Sequence, residues 1–294
     1  MNGVIRNQLD LKGTDGNADA GNLDAWISTA RVFIGANLTD NVDLKFMLLN
    51  ERVWGGATNT LSSTSANVNQ VDLAQANVTL TDLMKDTVGF PWKMIVGKQG
   101  VKIGSGLLIG SSGTNQYSNV QLPLGLGDFS KTLGARNSFD GIVNVLDFSP
   151  LTVTAAFLKA TEGDILIGRD TNIYAVDAVY DLGADYKNTK VESTYALSAK
   201  RKDNVQNLGG RVTSMPIENL GVEAEYVFQT ARTNGAGTYL DENKKTKNSD
   251  VVRLAANYVL SDVIWKPSIG LDFARLSNKW NVMQESWTPA ALAN

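Results

Sequence analysis

The side chains that could act on a solute are charged, and they recur at alternate positions instead of gathering in one motif. Arg31, Lys45, Lys98, Lys102, Lys200, Arg211 and Arg253 fall on the polar side of apolar/polar alternations, as do Asp43, Glu51, Asp140, Asp177, Asp181, Glu192, Glu223, Glu225 and Asp272. Fixed charges in such rows attract and orient a polar solute without making or breaking bonds. The sequence holds 0 His and 0 Cys, which excludes Ser-His-Asp and Cys-His centres, His/Cys zinc sites and disulfides. Ser111, Ser112 and Thr114 therefore have no histidine base, and we expect neither an enzyme nor a cofactor.

Two segments resemble ligand loops but lack the required spacing. Gly97 to Gly110 is glycine-rich and contains Lys98 and Lys102, yet it lacks the Gly-Lys-Ser/Thr ending of a phosphate loop and no helical pattern follows. Such a stretch better suits a strand that ends in a tight, glycine-rich turn. Asp15 to Gly21 alternates oxygen ligands like a calcium loop, but its glycine is displaced by one residue and Trp26 occupies the twelfth position, where glutamate belongs. A polar loop tip fits it better.

The elements that must position these charges have a hydrophobic period of two. Val252, Leu254, Ala256 and Tyr258 alternate with Arg253, Ala255 and Asn257. Val222, Ala224, Tyr226 and Phe228 alternate with Glu223 and Glu225, and Tyr174, Val176, Ala178, Tyr180 and Leu182 alternate with Asp177 and Asp181. Marking every such run predicts thirteen strands, at roughly 4–12, 24–38, 41–54, 69–80, 92–104, 136–148, 151–162, 171–183, 188–202, 204–215, 220–233, 249–260 and 264–277. Most are longer than the roughly 5–6 residues usual in soluble sheets and reach the roughly 9–11 that cross a bilayer at a tilt. No run approaches the roughly 18 apolar residues of a spanning helix.

Connection lengths alternate along the chain. Long loops at 13–23, 55–68, 105–135, 163–170 and 234–248 are interleaved with short turns near Thr39-Asp40, Pro91, Ser149-Pro150, 184–187, 216–219 and 261–263, and only the link near Asp203 is short where the pattern wants it long. Barrels of outer membranes place short turns at one rim and long loops at the other. Trp26 and Trp54 fall at long-loop ends, Trp92 and Trp265 at short-turn ends, and Trp280 and Trp287 in the terminal segment. Tryptophan prefers headgroup level, so this division suits two interfacial girdles. The formal charge of −3 disfavours a nucleic-acid partner. Absence of cysteine fits an extracytoplasmic setting, and Met1 to Arg6 does not begin a signal peptide.

Val96-Gly97-Lys98-Gln99, then Ile103-Gly104-Ser105-Gly106-Leu107-Leu108-Ile109-Gly110, then Arg136-Asn137-Ser138-Phe139-Asp140-Gly141-Ile142 resemble the family of alginate-export-type outer-membrane porins. That family carries arginine where this chain has Lys98, and a loop arginine where Leu107 or Leu108 stands. The resemblance implies an antiparallel transmembrane β-barrel in the outer membrane of a Gram-negative bacterium.

Taken together, these readings predict an all-β, single-domain barrel over 1–294, acting as a passive porin for small polar or charged solutes. Lys98, Arg136 and Asp140 are expected at a constriction formed by the 105–135 loop. Arg31, Lys45, Lys102, Asp177, Glu192, Arg211, Glu223, Glu225, Arg253 and Asp272 are expected to line the pore. Expected partners are outer-membrane lipid, lipopolysaccharide (for which Asp241 to Lys247 offers a charged loop tip), a polar solute or polysaccharide, and neighbouring protein. Thirteen strands is an odd number, so we expect the barrel to be incomplete at the C-terminus and to close at 16–18 strands with about 70–110 further residues. Two other readings fit the same alternation: a non-conducting scaffold or adhesin barrel, and a soluble carbohydrate-binding β-sandwich.

Overall fold

The computed structural model describes residues 2–12, 23–53, 71–83, 85–110, 138–161, 171–200, 203–233, 245–261, 264–277 and 280. Its strands, in chain order, are β1 (Asn2–Lys12), β2 (Leu23–Thr39), β3 (Val42–Val53), β4 (Asp72–Leu80), β5 (Trp92–Gln99), β6 (Lys102–Ile103), β7 (Ile109–Gly110) and β8 (Phe139–Asp147). They continue as β9 (Leu151–Thr161), β10 (Thr171–Asp181), β11 (Lys190–Lys200), β12 (Asp203–Ile217), β13 (Leu220–Thr233), β14 (Lys245–Val259) and β15 (Ser268–Leu276).

Thirteen of these form one sheet in sequence order, with β6 and β7 set apart as a small ribbon of their own. Every neighbouring pair in the sheet is antiparallel. The all-β antiparallel class and all thirteen expected sheet strands are therefore present. A single meander of this kind is not the two packed sheets of a sandwich. Among the described residues β1 and β15 pair with no strand beyond β2 and β14, so the sheet has two edges.

One expected strand is too long. The 92–104 run ends as a sheet strand at Gln99, because Gly100 interrupts it and the chain then turns back at Gly104 and Gly106, both at positive φ. Residues 102–103 pair with 109–110 instead of with the sheet.

Alternation sorts the sheet into two unlike faces. One carries Phe157, Tyr174, Val176, Tyr180, Tyr195, Leu208, Tyr226, Phe228, Leu254 and Tyr258, and every one of these is exposed. The other carries the buried apolar residues Phe139, Val143, Ala156, Leu158, Ile173, Ala175, Ala196, Val227 and Val251. The hairpin Val101–Gly110 folds onto this second face and buries Val101, Ile103, Leu107, Leu108 and Ile109 in a single cluster with it. Trp280 also packs on that cluster. The hairpin identifies the covered face as interior, leaving a large aliphatic and aromatic surface on the exterior.

The two segments that carry the family resemblance meet as one registered unit. β5 and β8 align Gly97 with Gly141, Lys98 with Asp140, and Gln99 with Phe139. A Cβ on Gly97 would lie 2.3 Å from the Ala76 carbonyl, and one on Gly141 would lie 2.2 Å from the Phe157 carbonyl. The missing side chains let the neighbouring backbone approach this closely, and Gln99, only 2% exposed, links the two strands as its amide Nε2 donates to the carbonyls of Ile95, Gly97 and Gly141 at 3.2, 3.4 and 3.3 Å.

Candidate functional site: an ion-pair ladder beneath the inserted hairpin

The charges of β10 to β15 come together because antiparallel partners point to the same face. Arg211 on β12 stands opposite Glu192 on β11 and opposite Glu225 on β13. Glu225 in turn stands opposite Arg253 on β14. Asp272 on β15 and Glu223 on β13 both face Ala255, one step along the same side. The small Ala255 side chain leaves room for Arg253 to lean between the two carboxylates.

Arg211 donates from Nε (2.9 Å) and Nη2 (2.5 Å) to Oε2 of Glu192, with Nη1 3.5 Å from Glu223. Arg253 pairs through Nη1 with Glu223 and lies 4.0 Å from Glu225. Its Nη2 reaches Asp272 at 2.5 Å while Nε donates to both carboxylate oxygens at 3.1 Å. Thr194 closes the β10 end by donating its hydroxyl to Asp177 at 2.6 Å. Two guanidinium groups thus serve four carboxylates, Glu192, Glu223, Glu225 and Asp272, and Asp177 beside them is held by Thr194, which leaves a local surplus of negative charge.

The hairpin is fastened to this ladder. Ser105 at its tip donates to Glu225 Oε2 at 2.5 Å and accepts from the Leu107 amide at 3.2 Å. Gly104, at φ +64°, comes so close to the wall that a Cβ there would lie 2.6 Å from Glu192 Oε1. On the long-loop side of the ladder a neutral network follows, in which Ser249 donates to Gln229 (3.0 Å) and Gln229 donates to Asn207 (2.9 Å), all three buried. On the short-turn side lies an open groove of ≈ 900 Å³ whose lining includes Lys190, Thr213, Glu223, Arg253, Asn257 and Asp272. The arrangement sets a charged ladder, bordered by an open groove, beneath an apolar insert.

The other residues singled out in the sequence are distributed differently. Arg31 on β2 and Lys45 on β3 share the interior face with Phe33 and Met47, and Lys45 Nζ stands 6.0 Å over the Phe33 ring. They belong to the far end of the strand order and do not join the ladder. Lys102 rides on the hairpin itself. Lys98 and Asp140 are corrections to the expected constriction. They are cross-strand partners in register with Val96, Ile142 and Phe157, so they stand on the exterior face. Counting strand 92–104 as continuous hid this, because the inward turn comes after Gln99 and leaves Lys98 on the wall. Arg136, the Asp15–Gly21 segment and the side chains of Glu51 and Lys200 lie outside the described residues. Ser105, Thr194 and Gln99 were missed by sequence reasoning. Ser105 alone had a usable signal, since it sits between two glycines at the start of the longest loop.

No protein-family model matches the chain, and no curated protein matches it. Among solved structures, the chain is similar to Salmonella typhi OmpF in complex with daunomycin, at 12% identity and TM-score 0.44, covering 92% of this chain and 88% of that one. It is also similar to the trimer form of OmpT, an outer membrane protein of Vibrio cholerae, at 12% identity and TM-score 0.40, covering 93% and 89%. Likenesses this distant carry no argument about activity.

Proposed function

We propose that the chain forms the wall of an outer-membrane porin of a Gram-negative bacterium, a passive diffusion channel for small polar or charged solutes. The observation that carries this reading is the inversion of polarity. Leu254 is 50% exposed and Tyr226 is 50% exposed on the outside, whereas Arg211, Glu192 and Arg253 are inside. In water such an exterior would be a large aggregation-prone patch; in hydrocarbon it is the expected surface. Interior charges are affordable only where water enters, and rows of them mark a solute path. The hairpin at Val101–Gly110 begins the loop that the sequence assigned to a constriction, and its tip rests on Glu225. Alginate-export-like transport remains within this proposal as the finer substrate reading, on the strength of the β5/β8 motif.

Single-channel recording in planar bilayers tests it. Discrete conductance steps from the purified protein are expected. A protein that inserts but passes no current would be a scaffold barrel, and one that stays monodisperse without detergent would be neither.

A further inference from the structure

On the exterior face, Lys98 on β5, Asp140 on β8 and Lys159 on β9 are consecutive cross-strand partners, and Asn172 on β10 continues the row. One step toward the short turns lies the row Val96, Ile142, Phe157 and Tyr174, exposed by 37%, 38%, 41% and 44%. The Phe157 and Tyr174 rings touch, with centroids 5.3 Å apart. At the opposite end of these strands Phe90 and Phe148 form another exterior ring pair, centroids 4.5 Å apart. From Phe90 to Lys98 the chain runs about 26 Å along the strand direction, or about 20 Å along a tilted barrel's axis. Lysine stems reach several further ångströms and cover the remainder of the roughly 25 Å apolar band of such barrels. The Lys98–Asp140–Lys159 row therefore sits at the headgroup level of the outer leaflet, directly above an aromatic and aliphatic strip suited to acyl chains.

We propose that this row is a binding site for a phosphate of an outer-leaflet glycolipid headgroup, with the two ammonium groups flanking the phosphate and the Asn172 amide available as a further donor. The proposal rests on the membrane reading above. Neighbouring strands lie about 4.8 Å apart, so the two lysine Cα atoms are about 10 Å apart with Asp140 between them. That spacing lets both stems converge on one phosphate held above the carboxylate. Lys98 and Asp140, misread as constriction residues, thus acquire a role on the other side of the wall. A charged row facing hydrocarbon would be costly, whereas the same row facing phosphate gains from it.

The test uses the full protein in phosphatidylcholine nanodiscs doped with bisphosphorylated lipid A or with its enzymatically dephosphorylated form, and retained glycolipid is measured by native mass spectrometry. Preferential retention of the phosphorylated form is expected, lost roughly tenfold or more in the Lys98→Gln/Lys159→Gln variant and unchanged in Asn257→Gln on the interior face. Free inorganic phosphate at millimolar concentration should not displace the lipid; displacement would mean that the row recognises soluble phosphate and would overturn the glycolipid assignment. Equal retention of both lipid forms by the unaltered protein, a comparison that requires no variant to fold, would also overturn the proposal. A protein that enters no nanodisc would instead refute the membrane reading, and the proposal with it.

Discussion

At the residue scale, the wall is defined by which side chain of an alternating pair faces outward. Leu254 and Arg253 are adjacent in sequence, yet one is half exposed on the exterior and the other is held by Glu223 and Asp272. Leu254 lies between Val252 and Ala256 on its face, away from the Tyr258 end, so arginine there would meet the middle of the apolar band. Leu254→Arg should destabilise the bilayer-folded state by about 2–4 kcal/mol, whereas Asn257→Arg, directed to the interior groove, should change it little. Denaturant titrations of both variants in lipid vesicles, read by electrophoretic mobility, check the difference; equal stability would sink the assignment of the two faces. The alternation that assigns Leu254 was legible in the sequence because each pair differs strongly in polarity. Lys98 was misassigned for the complementary reason. Charge alone does not fix parity, and an outward-facing lysine breaks the rule that outward means apolar.

At the element scale, thirteen sheet strands were legible because period two persists over long runs, while the hairpin was not. Lys102 and Ile103 continue the alternation of β5, so the pattern cannot reveal that the chain leaves the sheet after Gln99. Its apolar residues, Val101, Ile103, Leu107, Leu108 and Ile109, have neither a helix nor a sheet period, because they follow the shape of the wall they cover. Cross-strand geometry then explains the attachment. Gly104 brings the tip against Glu192, and Ser105 supplies the hydrogen bond to Glu225. The apolar cluster holds the body of the hairpin, so losing this bond should free the tip without releasing the element. Ser105→Ala is expected to cost about 1–3 kcal/mol locally, through the lost hydrogen bond to the buried Glu225 carboxylate, and to increase open-channel current noise while leaving the mean conductance within about twofold. Noise spectra of single channels provide the check; an unchanged spectrum would mean that the tip is held by packing alone.

For the whole molecule, the edges that β1 and β15 leave open among the described residues and the division of charge along the strand order would set the properties of the proposed pore. An exposed edge within hydrocarbon leaves backbone groups unpaired at several kcal/mol each, so the edges must be joined in the membrane. If the odd strand number means a wall of 16–18 strands, further strands would lie between them. The chain contains no cysteine, so Cys pairs introduced along β1 and β15 give a clean test: no β1–β15 disulfide should form, and efficient cross-linking would show direct closure. Charge follows the same order. The acidic surplus of Asp177, Glu192, Glu223, Glu225 and Asp272 belongs to β10–β15, whereas on β2 and β3 Arg31 and Lys45 share their face with Asp43 and leave a weakly basic sector, with Lys102 on the hairpin. In a closed wall this order sets an acidic sector apart from a weakly basic one and directs a field across the lumen instead of along it. Such a field orients dipolar solutes and rejects neither ion strongly. Reversal potentials under a salt gradient should accordingly give a cation/anion permeability ratio within about threefold of unity. Arg211→Gln with Arg253→Gln removes the positive charges that offset the acidic sector and should move the ratio toward cations. A strongly anion-selective pore would contradict the charge order and favour polyanionic cargo of the alginate kind.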